Sequence, residues 1–116
     1  MAVQRFLFRY HVFAMNRQHF YFKLIPPRST FPADITPQER GLMTEHSAYF
    51  EQLFKDGKVL LYGPVNAPQG AFGMGILEVA DEAEAQQFGE SDPSVRGGLN
   101  RFECYPMMVA NARGKG

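Results

Sequence analysis

Two side chains in this sequence could share acid–base chemistry. His46 lies in the stretch MTEHSAYFEQLF (43–54), and Asp92 lies in SDPSVRGG (91–98). Read as a helix, the first stretch sets the imidazole in an apolar stripe. Leu42 and Met43 lie one turn before it, Phe50 one turn after, and Leu53 and Phe54 beyond. An imidazole on such an edge can take up and return a proton, because its ordinary pKa is about 6.5. The plain alternative is a boundary histidine that bonds a backbone carbonyl and pins the helix. Glu45 and Ser47 point elsewhere around the helix and are read as solvated. Asp before Pro is a common turn or helix-start device, its carboxylate accepting backbone N–H groups. The chemical alternative is that Asp92 orients an imidazole and stabilises its protonated form.

Other candidates are weaker. Arg96, in the turn SVRGG, could hold an anionic group of a ligand or simply be solvated. Tyr62 could lend a phenolic O–H to a pocket or pack in a sheet. Cys104 lies within a strand, where a buried, inert thiol is expected rather than a nucleophile. His11, His19 and His46 show no metal-ligand spacing among themselves or with Cys104, so no metal site and no cofactor is expected. Gly63-Pro64 leaves bare backbone at a strand end, which a ligand could approach. QGAFGMGILEV (69–79) faintly resembles the central strand motif of RNA-recognition domains. No Lys or Arg precedes its Gly, however, and Met74 and Leu77 stand where stacking aromatics are needed.

The elements that must position these residues follow from punctuation and periodicity. HFYFKLIPP (19–27) is an aromatic and β-branched strand stopped by a Pro pair. Thr36, Pro37 and Glu39 form an N-cap, a first-turn proline and a capping box, opening a helix to about 56 that Gly57 ends. VLLYGPV (59–65) and AFGMGILEVA (71–80) are strands around the turn NAPQG. Asp81 and Glu84 cap a short second helix fading by Gly89, SDPSVRGG is a loop or single helical turn, and LNRFECYPMMVA (99–110) is the last strand. The order βαββαβ is the ferredoxin-like plan: an α+β fold whose four-stranded antiparallel sheet carries two helices on one face. The other face also reads as apolar. Phe72, Met74 and Ile76 alternate against Ala71, Leu77 and Val79, and Val59, Leu61 and Val65 against Leu60 and Tyr62. Two helices cannot cover both faces, so a homodimer through the open sheet face is expected.

The totals agree. A chain of 116 residues with 45% hydrophobic residues and 11 Phe can build one domain with a real core. Twelve basic and twelve acidic residues cancel. That argues against nucleic acid and against electrostatic binding to a membrane surface. One cysteine allows no internal disulfide and fits a reducing cytoplasm. No apolar run approaches the roughly 20 residues that span a bilayer. Residues 1–18 read as an N-terminal appendage. Within it, 1–14 is an extra strand, a transit-like segment, or sequence upstream of a true start at Met15. The domain proper is read as 19–110, with 111–116 a loose tail.

EHSAYFEQLFKDGKVLLYGPV, then GILEVADEAEAQQFGESDPSVRGGL, then the closing strand resemble the YCII-related family. The residues that carry the resemblance are the helical His46, the Gly-Pro after the second strand, the DPxVxxGL-like run from Asp92 to Leu99, and the strand after it. FYFKLIPPR is similar to the opening strand of many members. The likeness covers about residues 20 to 108. It implies a ferredoxin-like fold forming dimeric α/β barrels, akin to muconolactone isomerases and small-barrel monooxygenases. It also implies a His–Asp pair proposed to be catalytic, falling here on His46 and Asp92. Residues 1–14 have no counterpart in it. The expected function is cofactor-free isomerisation or elimination on a small cyclic or carbonyl compound. Non-catalytic binding of a small metabolite is the other reading.

Overall fold

The computed structural model describes residues 17–114, so the readings of residues 1–14 lie outside the described residues. The described residues form β1 (Gln18–Ile25), α1 (Pro37–Lys55), β2 (Val59–Ala67), β3 (Gly70–Val79), α2 (Glu82–Glu90), α3 (Pro93–Arg96) and β4 (Arg101–Met107). This is the α+β ferredoxin-like arrangement, and its third helix is the single turn that SDPSVRGG allowed. The sheet is antiparallel throughout, in the order β2-β3-β1-β4. β1 begins at Gln18 and so takes the last residue of the segment read as an appendage. β4 is shorter at both ends than the apolar pattern suggested, and the described residues beyond Met107 form no strand or helix.

Local chemistry explains the element ends. Both bonds of the capping box are made: Glu39 N donates to Thr36 Oγ1 at 3.2 Å, and Thr36 N donates to Glu39 Oε1 at 3.0 Å. α1 stops where Gly57 turns to φ +77°, a conformation that costs glycine nothing. Asp81 caps α2 through Glu84 N at 2.9 Å.

The helices cover one face of the sheet. Phe20, Phe22 and Leu24 of β1, Leu77 and Val79 of β3, and Val59 of β2 pack there against Phe50, Leu53 and Ala85. Each buried large apolar side chain contributes about 1.5–3 kcal/mol relative to exposure. Gly89 lets α2 lie directly on β4, since a Cβ there would stand 2.3 Å from the Phe102 ring. Phe102 in turn stacks on Phe22, with centroids 5.6 Å apart.

The second strand departs from simple alternation. Its register steps from Val59↔Leu77 to Leu61↔Ile76, so Leu60 occupies a bulge. Val59 and Leu61 therefore face opposite sides, not the same side. Val59 is 3% exposed in the core, whereas Leu61 is 49% exposed on the open face. The bulge also turns Tyr62 toward α1, where its ring packs against Phe50 and Phe54. The open face carries Leu61, Tyr105 and Met107, all exposed, beside Phe72 and Met74. Lys23 lays its ammonium over the Phe72 ring at 4.7 Å.

Candidate active site

α1 and α3 meet at one pair of side chains. His46, on the third turn of α1, places Nδ1 2.7 Å from Asp92 Oδ2. Asp92 is the N-cap of α3 and is fully buried, while the His46 side chain is 16% exposed. A carboxylate can only accept, so the proton lies on Nδ1 and His46 is the donor. The nitrogen left over is Nε2, with its lone pair available.

The carboxylate is held from its other oxygen as well. Asp92 Oδ1 accepts from Ser94 N and from Ser94 Oγ, both at 2.8 Å. The serine hydroxyl has one proton and spends it there, so toward Asn100 it can only accept. Asn100 Nδ2 supplies that bond at 2.9 Å and also reaches Met43 Sδ at 3.3 Å. Met43 lies one turn before His46 on α1, so the chain of contacts closes on itself. With Nδ2 committed in this way, Asn100 Oδ1 has no hydrogen-bond partner among the described residues. A buried Asp–Ser–Asn arrangement of this kind leaves the imidazole little freedom to rotate.

Neighbouring groups have narrower roles. Tyr49 donates to Phe88 O at 2.7 Å; burial, and then the charge of Asp92, pushes its phenol up to about 12. It stays an O–H donor and is no base near neutral pH. Burial likewise pushes the Cys104 thiol up to about 11, with Glu82 adding to it, so a thiolate nucleophile is disfavoured. No group of His, Cys, Asp and Glu among the described residues is arranged to hold a metal ion, and no described helix is long and apolar enough to cross a membrane.

The imidazole opens on a cavity of about 320 Å³. Its floor is the sheet, through Phe22, Leu24 and Gly73, with Phe72 and Met74 at its border. α1 contributes Met43, His46, Ser47 and Phe50. The far wall is the loop between β1 and α1, through Pro26, Phe31, Pro32 and Ile35. Tyr62, Gly63 and Pro64 form the β2 side, so the bare Gly-Pro backbone does border the space. Asn100 also lines it. Among the described residues no Lys or Arg lines the cavity, and its polar side chains are His46, Ser47, Tyr62 and Asn100. The surroundings suit an uncharged ring with few polar groups.

The structure thus brings His46 and Asp92 together and separates the other candidates. Tyr62 offers its ring, while its hydroxyl is turned to Glu51 Oε1 and so is not presented to the cavity. Arg96 is exposed at the end of α3 and does not line the cavity. Ser47, read as merely solvated, is exposed but borders the cavity beside His46. Ser94 and Asn100 were not anticipated, although a serine two residues after a capping aspartate was a usable signal. So was the apolar run Phe31-Pro32-Ala33 between the charges of Arg28 and Asp34 in the loop, with Ile35 just after it.

Comparison with known proteins places the chain. The sequence profile of the YCII-related domain matches residues 19–108. No curated protein matches the chain. Among solved structures, it is similar to 5-chloro-2-hydroxyhydroquinone dehydrochlorinase from Burkholderia phenoliruptrix AC1100, in complex with 2,5-dihydroxybenzoquinone. Identity is 20%, over 73% of this chain and 90% of that chain, with a TM-score of 0.54. It is also similar to a protein of unknown function from Nitrosomonas europaea, at 14% identity over 84% of this chain and 96% of that one, TM-score 0.47. At such identities the likeness is one of fold.

Proposed function

Because this chain belongs to the YCII-related domain family, we propose that it is a small enzyme of the cytoplasm using His46 and Asp92 for acid–base chemistry on an uncharged cyclic or carbonyl compound. The observation that carries the reading is the 2.7 Å bond between His46 Nδ1 and buried Asp92, on an imidazole that also borders the cavity. Asp92 keeps the proton on Nδ1, and Nε2 is the base. It takes a proton from a carbon beside a carbonyl, or from a ring hydroxyl. In an isomerisation the same imidazolium returns that proton to another carbon. In an elimination the electron pair moves into the ring, and a halide leaves with the bonding pair of the carbon–halogen bond. The imidazolium then loses its proton to water. A positioned acid–base group supplies about 10²–10⁴-fold, so neither route requires a cofactor. The fold neighbour is a dehydrochlorinase in complex with a dihydroxybenzoquinone, which supports halogenated quinols as the first compounds to try.

The test is a panel of chlorinated and unchlorinated quinols and small lactones, followed by ultraviolet spectra and chloride release, with wild type and His46→Ala in parallel. Product formed by wild type and lost in the variant is the expected result. Compounds that bind wild type without forming product, and bind the variant less tightly, would favour instead a non-catalytic metabolite-binding module, for which the apolar lining is the supporting observation.

The same reading includes a homodimer. Leu61 is 49% exposed, Tyr105 50% and Met107 40% on the sheet face away from the helices, and a second copy packed face to face would remove them from water. Sedimentation should give the dimer mass; a monomer at all concentrations would overturn this.

A further inference from the structure

The loop that walls the cavity is tied down by one side chain. Arg28 Nε donates to both carboxylate oxygens of Asp34, at 2.9 Å each, and Nη2 donates to the Asp34 carbonyl at 3.0 Å. Nη1 and Nη2 also grip Glu39 as a fork, at 2.9 and 2.8 Å. Glu39 is the residue whose carboxylate closes the capping box of α1, and His46 follows it by two turns on the same helix. Thr30 adds a bond to Asp34 at 2.6 Å. The guanidinium carbon lies 5.6 Å from the centre of the Phe31 ring, and Phe31 is only 6% exposed. One cation thus joins the loop to itself, to the start of α1, and to the face of an aromatic ring lining the cavity.

We propose that Arg28 is a positioning residue: it fixes the wall formed by Phe31 and Pro32 at a set distance from the helix carrying His46, and so sets the affinity of the cavity for a ring. The inference rests on the reading of the cavity as a ligand site, but not on any reaction. A wall already ordered spares the ligand the entropy of ordering it, which is how preorganisation raises affinity. Lysine cannot replace the fork, because it offers a point charge where two carboxylates and a ring are engaged at once. The clasp is charged throughout the assay range: the Arg28 fork, then the Thr36 N–H, hold the Glu39 carboxyl down to about 2, and Arg28 holds Asp34 below the usual carboxylate range.

The test is binding of 2-naphthol, an uncharged fluorescent ring compound, to wild type, Arg28→Ala, Phe31→Ala and the double variant, well below each melting temperature. Each single substitution should weaken binding about tenfold, and the double variant should be no weaker than Phe31→Ala alone, because Arg28 acts through that ring. Hydrogen exchange should quicken at the amides of residues 28–35 in Arg28→Ala and stay unchanged in β1 and β3. Arg28→Lys, which keeps the charge, should recover little of the affinity and serves if the alanine variant does not fold. Affinity unmoved by Arg28→Ala or Arg28→Lys, or effects of Arg28→Ala and Phe31→Ala that multiply, would overturn the inference while leaving the cavity intact as a site. A wild type that binds no ring compound would overturn it together with the reading on which it rests.

Discussion

Asp92→Asn should keep the fold and, in the proposed acid–base reaction, lower turnover by roughly 10²–10⁴-fold. The direction follows from the donors around the carboxylate. Ser94 N–H is a fixed donor on the Oδ1 side, and Ser94 Oγ–H joins it there. The asparagine must turn its carbonyl oxygen to those two donors, which leaves its NH₂ facing His46. Nδ1 then becomes an acceptor, and the imidazole proton moves to Nε2. The nitrogen that should take a proton already carries one. Nitrogen-15 shifts of the His46 ring report this change without any substrate: Nδ1–H in wild type, Nε2–H in the variant. A variant with the switched tautomer and undiminished turnover would remove the pair from the mechanism.

Phe22→Ala should cost about 3 kcal/mol, measured by urea unfolding, a large share of the 5–15 kcal/mol that holds a domain together. The ring is 1% exposed, with centroids 5.2 Å from Phe50 and 5.6 Å from Phe102. Loss of a buried phenylalanine ranges over about 3–5 kcal/mol, and the lower end applies because one side of this ring borders a cavity and has fewer packing partners there. The melting temperature should fall by roughly 10–20 °C. The His46 ring should keep its Nδ1–H tautomer, because Asp92 on α3 fixes it without Phe22. A loss below about 1 kcal/mol would mean that the core is looser than its ring contacts imply.

The two results bear on different layers of information in the sequence. The helix start was legible because Thr36, Pro37 and Glu39 form a local device that needs no partner from elsewhere. Gly57 was legible for the same reason, since a left-handed turn excludes most side chains. The strand faces were legible except where Leu60 adds a residue to β2. A bulge depends on pairing with β3, and nothing within VLLYGPV marks it. His46 stood out through its place in an apolar stripe. Its distance to Asp92 did not, because the two meet only when α3 packs on α1. The loop wall lay further out of reach: Arg28 and Asp34 look like ordinary solvated charges, and Glu39 like a capping residue alone, until the chain folds them onto one another.

The strand order has a consequence during synthesis. β1 lies in the middle of the sheet, yet it is the first of the four strands to be made, and its two neighbours are the third and the last. A growing chain therefore carries QHFYFKLI with both edges unpaired until β3 and then β4 have left the ribosome. Phe20, Phe22 and Leu24 wait in water for that time, in a form that pairs readily with any other unfinished chain. Slow translation would lengthen the wait, and with it the exposure of that unpaired strand to other unfinished chains.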